Sequence, residues 1–304
     1  MRSAHYENAP RIVLSLEGGA AEDVRALAID FRSSQPNVEI REHHERLGLR
    51  QHILECGDYA MERGSVIVLE DDLLVDRYFY LYASRALDFY ERHNAVAGVA
   101  LYSPHYNEFS GLPFAPMRNG YDTYPIQTPC SSGQAWSASQ WRAFRAWYGT
   151  ASPESVNATL SLPPVLRRWP ESSWKKYFAA YLVGTGRYFV YPYQSLTTNC
   201  SDAGGMHVHA KSDRFQVPLA SQQRSATKPT FWSPDLAPAV SYDAFLEPDG
   251  EEVFRAIGLP RAELEVDILG TKPLELVKRK AYALTSRPVR AALRQFPLSF
   301  RPVE

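Results

Sequence analysis

The chain has 304 residues, which is long enough to bury a full core in one large domain or two. Its 33 basic and 34 acidic residues nearly balance, so no overall charge favours binding to nucleic acid or to an anionic membrane. Three widely spaced cysteines predict neither a disulfide framework nor a zinc site. No signal peptide opens the chain and no apolar run of roughly 18 residues occurs, so we expect a soluble, cytoplasmic protein.

Strand and helix patterns alternate through the first hundred residues. Apolar strands are predicted at 11–16, 38–41, 65–69 and 96–101, and amphipathic helix patterns separate them. This alternation is typical of a parallel sheet that is covered by helices. In such sheets ligands bind at the carboxyl ends of the strands, so we expect the functional residues there.

The third predicted strand leads directly into three acidic residues. The segment 65–69 is an almost unbroken β-branched run, and Glu70, Asp71 and Asp72 follow it at once. Adjacent carboxylates repel one another unless a positive group lies among them. A hard cation such as Mg²⁺ or Mn²⁺ would relieve that repulsion and would also hold substrate phosphates. The alternative is that the acids only begin the next helix, with Asp76 as its N-cap.

The second half of the chain is less regular. Residues 103–134 form a long stretch rich in Pro, Gly, Tyr and Asn, and loops of this length are usually functional. Aromatic helices are predicted around 141–148 and 174–181, and a strand at 187–191. A polar loop from Thr197 onwards contains Asp202, His207 and His209, and the region after it resembles surface coil.

The last predicted segment, 272–301, is rich in basic residues with apolar residues among them. One interpretation is a helix that contacts an anionic membrane peripherally. The other is a basic, solvated helix that packs on the domain.

Five motifs occur in order along the chain. They are SLEGG at the end of the first strand, VIVLEDD, SGQAW, ESSWKKYF and SLTTNCSDAGGMH. Together they resemble GT-A glycosyltransferases, in particular bacterial family 2-like enzymes and N-acetylglucosaminyltransferase I. The resemblance implies an α/β fold of the GT-A type, with a mostly parallel sheet covered by helices, in residues 1–219. Residues 220–304 would then be a C-terminal helical extension.

The resemblance also implies a nucleotide-sugar donor, a glycan or glycolipid acceptor, and Mn²⁺ or Mg²⁺ as cofactor. By position, Asp72 would bind the metal directly, and Glu70 and Asp71 would lie near the ribose and the water molecules of the metal. His207 falls where some relatives place a histidine over the metal or the diphosphate. The alternative is that His207 and His209 are ordinary loop residues, because two histidines alone are weak evidence for a metal site.

Three further residues match donor-binding positions of the family, and a fourth, Arg50, is a candidate because of its place at a helix start. Glu17 matches an acid that contacts the base, although it could be a simple turn residue. Arg50 lies at a helix start where a diphosphate could meet a cation and free amides, or it could be an exposed helix arginine. Gln134 and Trp136 match residues that shape the sugar pocket, and Trp136 could equally belong to the core.

The chain departs from the family in two places. Relatives begin with a strand and a helix that build part of the nucleotide pocket, and nothing comparable precedes the strand at 11–16. We therefore expect a misplaced start, a fragment or a reduced donor site. Inverting relatives carry an Asp beside the Trp of the later helix as general base. Here Glu171 is the nearest carboxylate to Trp174, and Asp202 is the other candidate.

Two other functions fit parts of the pattern. A non-catalytic relative that only binds a sugar or a partner would explain a reduced donor site. A nucleotidyltransferase would use the same sheet and acids, but it predicts a Gly-rich, Lys-bearing phosphate loop after the first strand, and the SLEGG turn contains no Lys.

Overall fold

The structure is a computed structural model that describes residues 4–7, 9–35, 37–200, 214–220, 228–234, 240–248 and 272. The elements up to residue 100 are, in order, β1 Ile12–Leu16, α1 Glu22–Ser34, β2 Val38–Glu42, α2 Leu49–Arg63, β3 Ser65–Val68, β4 Leu73–Val75, α3 Phe79–Tyr90 and β5 Val96–Ala100. The later elements are β6 Tyr106–Asn107, β7 Leu112–Pro113, β8 Thr123–Ile126, β9 Gln134–Ser137, α4 Ala138–Tyr148, α5 Pro153–Asn157, α6 Pro164–Arg167, α7 Trp174–Thr185, β10 Tyr188–Pro192 and β11 Thr197–Asn199. The α/β class is therefore confirmed.

The central sheet is mixed, and the prediction of a mostly parallel sheet is wrong. Its strand order is β3-β9-β5-β10-β8, and of these pairs only β5 and β10 run parallel. The parallel prediction came from strands that alternate with helices before residue 101. The segment 103–133 then brings the chain back, so that β9 enters between β3 and β5 in the opposite direction. Long-range pairing of this kind leaves no periodic signal in a sequence.

Strands β1 and β2 form a separate parallel pair, in which Ile12 lies opposite Val38. Helix α2 connects this pair to the central sheet. It packs on β3, while His52 reaches back to Ser15 of β1, with 2.7 Å between the histidine Nε2 and the serine Oγ. The loop between β1 and α1 and the start of α2 are thereby held together.

The core on one face of the central sheet is built from aromatic side chains. Its largest fully buried members are Trp136, Trp141, Tyr124, Tyr181, Phe144, Phe178 and Phe189. The Phe144 and Phe178 rings stack with their centroids 4.2 Å apart, which joins α4 to α7. The aromatic helices predicted from the sequence are confirmed, and their rings bury a large apolar area.

Residues beyond 219 also contribute to the buried interior of the protein. Trp232, Tyr242 and Phe245 are buried, and Tyr242 bridges to Ile126 of β8. The predicted boundary between 219 and 220 stays a prediction, and most of the predicted helical extension lies outside the described residues. Of the basic segment, the structure describes Lys272, whose side chain is buried. Among the described helices, none is long and apolar enough to cross a membrane.

Candidate functional site

The three acidic residues lie in the turn between β3 and β4. They do not begin the following helix, because β4 separates them from α3. Strand β4 pairs with β11, so that Asn199 lies opposite Leu73. Asn199 Nδ2 donates to Asp72 Oδ2 at 2.6 Å, and the backbone N–H of Cys200 donates to the Asp72 carbonyl. The carboxylates of Asp71 and Asp72 are on the surface at the carboxyl end of β3.

Glu70 is half-buried, whereas Asp71 and Asp72 are exposed. Burial, followed by repulsion from Asp72, raises the pKa of the Glu70 carboxyl to about 7, and Lys175 opposes this change. Its Oε1 atom is buried and has no hydrogen-bond partner among the described residues. Buried polar atoms without a partner are uncommon in folded proteins, and an absent ligand or ion is one explanation for them.

Gln134 is a second buried group without a partner. Strand β9 pairs with β3 so that Gln134 lies opposite Val68, two residues before Glu70. The side chain is fully buried, and neither its oxygen nor its nitrogen is hydrogen-bonded within the described part of the chain. An amide in this state can donate to one group and accept from another. Glu70 and Gln134 thus place unused polar atoms at one end of the sheet.

Trp136 lies two residues further along β9, within the aromatic core. Its ring centroid is 4.7 Å from that of Trp141, and the side chain is fully buried. This position fits the core alternative stated for Trp136. Its role in a sugar pocket stays a prediction.

Lys175 and Glu108 are two site residues that the sequence did not identify. Lys175 Nζ lies 3.0 Å from Glu108 Oε1, and only 17% of the lysine side chain is exposed. Burial alone would lower the pKa of Lys175, but Glu108, Cys130 and Glu70 outweigh it and raise the pKa. A charged lysine therefore stands beside the acidic turn. The two consecutive lysines after Trp174 could have indicated Lys175 as a site residue. Glu108 lies in the irregular segment 103–134, where no sequence pattern indicates a functional residue.

Glu17 and Arg50 are both at the beginning of helix α2. Glu17 Oε1 accepts from the Gly48 N–H at 2.7 Å, and Oε2 lies 2.8 Å from His52 Nδ1. Gly48 adopts φ 74°, which favours glycine. The Glu17 carboxylate is thus hydrogen-bonded to the backbone at the start of α2, where a diphosphate was predicted to bind. The Arg50 guanidinium lies 5.2 Å from the centre of the Tyr177 ring.

Glu171 precedes helix α7 and is bound by three neighbours. Its carboxylate accepts hydrogen bonds from the Tyr177 hydroxyl and from Lys176 Nζ, and Asn157 adds a third contact. These hydrogen bonds, that of Tyr177 first, lower the pKa of Glu171. The residue is therefore ionised at neutral pH, as a general base must be. The other candidate base, Asp202, lies outside the described residues, as does His207.

In the ranges that the structure describes, no cluster of three or more His, Cys, Asp or Glu side chains has the arrangement of a metal site. A site for Mg²⁺ or Mn²⁺ that is completed by substrate phosphates needs only one or two carboxylates from the protein. Asp71 and Asp72 supply exposed carboxylates, and Glu70 supplies a buried oxygen without a partner. This set of oxygen donors fits such a cation.

Comparison with known proteins adds little to this description. No family model and no curated protein matches the chain. A solved structure of GalNAc-T7 with UDP, GalNAc and Mn²⁺ is similar, with a TM-score of 0.38 and 11% sequence identity. The match covers 60% of this chain and 36% of that one. Similarity at this level carries no functional argument.

Proposed function

We propose that this protein is a metal-dependent glycosyltransferase of the GT-A type, which moves a sugar from a nucleotide-sugar to a hydroxyl of a glycan or glycolipid. One observation carries the proposal. At the carboxyl end of β3, Asp71 and Asp72 follow Glu70, and Gln134 lies opposite Val68 on β9; Glu70 and Gln134 both have buried atoms with no hydrogen-bond partner among the described residues. The order of the five sequence motifs supports the same reaction class.

Asp72 would hold the cation, with Asp71 oriented towards its water molecules. Mn²⁺ or Mg²⁺, when bound, would offset the negative charge that develops on the leaving nucleoside diphosphate. The hydrogen bond from Asn199 would orient the Asp72 carboxylate, as outer contacts of metal ligands commonly do. Lys175 adds a positive charge beside Glu70 without occupying the turn itself.

Gln134 and Glu70 would bind polar groups of the donor, because both have unused hydrogen-bonding atoms. Trp136 would support that pocket from the core. Glu17 and Arg50 are proposed to contact the nucleotide and the diphosphate, which requires Glu17 to give up its hydrogen bonds to the start of α2. A cytoplasmic location and a membrane contact through the basic C-terminal segment also remain proposals.

Glu171 is the proposed general base, and Asp202 is the alternative. A sugar hydroxyl must lose its proton as it attacks, and a positioned carboxylate contributes roughly 10²–10⁴-fold to such a step. The proton would pass from the acceptor hydroxyl to the Glu171 carboxylate. Lys176 and Tyr177 hold that carboxylate in place and keep it ionised.

Titration calorimetry with UDP-glucose, UDP-N-acetylglucosamine and GDP-mannose tests the proposal, with and without Mn²⁺. We expect Mn²⁺-dependent binding of one of them, which Asp72→Ala weakens by about 100-fold or more because the main protein ligand is lost. Asp88→Ala is the matched control, since Asp88 is an exposed acid on α3. Binding that is unchanged in Asp72→Ala, or absent for the wild type with all three donors, contradicts the proposal.

A non-catalytic sugar-binding protein is the second candidate. One observation favours it: the Glu17 carboxylate is already hydrogen-bonded to the backbone at the start of α2, where the donor diphosphate would bind in an enzyme. The two candidates differ in a simple assay. The enzyme releases nucleoside diphosphate from its bound donor when acceptor is present, whereas the binding protein leaves the donor intact.

A further inference from the structure

A cleft of about 550 Å³ opens beside the beginning of helix α7. The short helices α5 and α6 form its other sides. The side chains that line it and bear on its chemistry are Asn157, Arg167, Arg168, Trp169, Glu171 and Lys176. Its volume is in the range that holds a small ligand such as one or two sugar rings.

The cleft has an excess of positive charge. Glu171 is its carboxylate, and this group is already bound by Lys176 and Tyr177. Arg167 and Arg168 make no ion pair with the described residues, and the Nε atom of Arg167 is buried without a hydrogen-bond partner among them. The guanidinium groups of two consecutive arginines are therefore left without a compensating anion among the described residues.

Arginine pairs without a carboxylate partner suit oxyanions. The planar guanidinium presents its N–H groups as a fork that matches a carboxylate or a phosphate, and the two parallel hydrogen bonds give strength and orientation. Trp169 adds a half-buried aromatic surface to the same cleft, against which the apolar face of a sugar ring can pack. An anion carried on a sugar would use both features.

The cleft is connected to the acidic turn through two side chains. Lys175 Nζ lies 5.5 Å from the centre of the Trp169 ring, and the positive charge of the same lysine interacts electrostatically with the carboxyl of Glu70. Glu171, the proposed base, belongs to the cleft itself. A ligand in the cleft would therefore lie on the acceptor side of the donor site.

We propose that this cleft binds the sugar acceptor and recognises an oxyanion that the acceptor carries, either the carboxylate of a uronic acid or a phosphate ester. The assignment of the ligand as an acceptor rests on the proposed function. The preference for an oxyanion rests on Arg167 and Arg168 alone.

Calorimetric or NMR titration of the full chain tests this without donor or metal. The probes are glucuronic acid, glucose 1-phosphate, glucose and inorganic phosphate. We expect at least one of the two charged sugars to bind about tenfold or more tightly than glucose, and binding to weaken as salt rises. Equal binding of charged sugars and glucose overturns the proposal. Inorganic phosphate that binds as tightly as the charged sugars overturns the assignment to a sugar acceptor.

Variants locate the binding in the cleft. Arg168→Gln should weaken binding of the charged sugars by about 10- to 100-fold and leave the weak binding of glucose unchanged, because only charge-assisted hydrogen bonds are lost. Arg167→Gln should do the same. Arg142→Gln is the matched control, since Arg142 is exposed on α4 and lies outside the cleft.

Unchanged affinity in Arg168→Gln overturns the proposal. Arg168 is exposed, so this variant is expected to fold even where Arg167→Gln does not. Failure of the proposed function has a different signature: no nucleotide-sugar shows Mn²⁺-dependent binding, while binding of the charged sugars still depends on Arg168.

Discussion

At the scale of single residues, the most informative groups are those without partners. A buried amide or carboxyl that lacks a hydrogen bond costs the fold free energy, typically about 1–3 kcal/mol. Within the described part of the chain, Gln134 and Glu70 both contain such atoms, and Gln134 lies opposite Val68, two residues before Glu70. A cost of this kind is expected where a ligand later supplies the missing partner, as proposed here for the donor.

Gln134→Leu separates stability from binding. The leucine has a similar size and needs no hydrogen bond, so we expect the free energy of unfolding to stay equal or to rise by about 1 kcal/mol. Nucleotide-sugar affinity should fall about tenfold or more, because the amide contacts are lost. Chemical denaturation and calorimetry measure the two quantities. A large loss of stability with normal donor affinity would make Gln134 a structural residue.

Glu17 makes stability depend on pH. Burial acts to raise the pKa of Glu17, but the hydrogen bonds from Gly48 and Leu47 and the contact with His52 outweigh it and lower the pKa. The carboxylate therefore stabilises the fold above its unfolded pKa of about 4.3, and this contribution disappears as pH falls through the lower folded pKa.

We expect Glu17→Gln to lose about 0.5–1 kcal/mol of unfolding free energy at pH 7, because the charged hydrogen bonds to the start of α2 and the contact with His52 are weakened. The difference from wild type should shrink towards zero as pH falls below about 4. Denaturant unfolding at a series of pH values measures it. Glu62→Gln, at an exposed position of α2, should show no such trend. A constant deficit at every pH would argue against the charged cap.

At the scale of elements, helix α2 packs unusually close to α4. A side chain at Gly57 would overlap the Trp141 ring, and Trp141 Nε1 donates to Asp58 on the same helix at 2.8 Å. Gly57 therefore allows the indole to lie against the backbone of α2, at a cost in helix propensity of about 1 kcal/mol. This contact also supports strand β9, because Trp141 packs on Trp136 of that strand.

Gly57→Ala should destabilise the protein by about 1–3 kcal/mol, since the overlap outweighs the gain in helix propensity. Gly184→Ala is the matched control, because a side chain there meets no atom within 4 Å and should stabilise helix α7 slightly. Thermal unfolding measures both. If Gly57→Ala is as stable as the control, the packing between α2 and α4 is looser than described.

At the scale of the whole molecule, Lys272 is bound to the segment 240–248, which packs on β8. Lys272 is buried and pairs with Asp243 and Glu247, and its ammonium lies 5.5 Å from the centre of the Phe245 ring. The first residue of the basic segment is therefore an internal ion-pair residue. This position joins that segment to the core and removes Lys272 from any membrane-facing surface.

Lys272→Met should destabilise the whole domain by about 3–5 kcal/mol, because it removes the cation that pairs with the buried Glu247 and the half-buried Asp243. Lys228→Met, at an exposed lysine, is the control and should change stability by less than about 0.5 kcal/mol. Differential scanning calorimetry distinguishes the outcomes. A small effect of Lys272→Met would show that residues 240–248 are not held by this ion pair.

The sequence predicted the positions of β1, β2, β3 and α7 well, because hydrophobic periodicity is a local property. It also placed the acids directly after β3, where the structure has them, although β3 is a half-buried edge strand and not the fully buried strand that its β-branched residues predicted. Strand direction was predicted wrongly. It is decided by where residues far apart in the chain pair, as β9 shows when it enters between β3 and β5.

The chemistry of the site divides along the same line. Carboxylates that follow one strand can be recognised from the sequence alone, because they are neighbours along the chain. The groups that complete the site come from elsewhere: Gln134 through strand pairing, Lys175 and Glu108 through the packing of α7 against an irregular segment. Whether Glu17 is available to a ligand was likewise decided by the position of helix α2. Only tertiary structure brings such residues together. The folded core buries their polar groups, and this burial shifts their pKa values or leaves their atoms without hydrogen bonds.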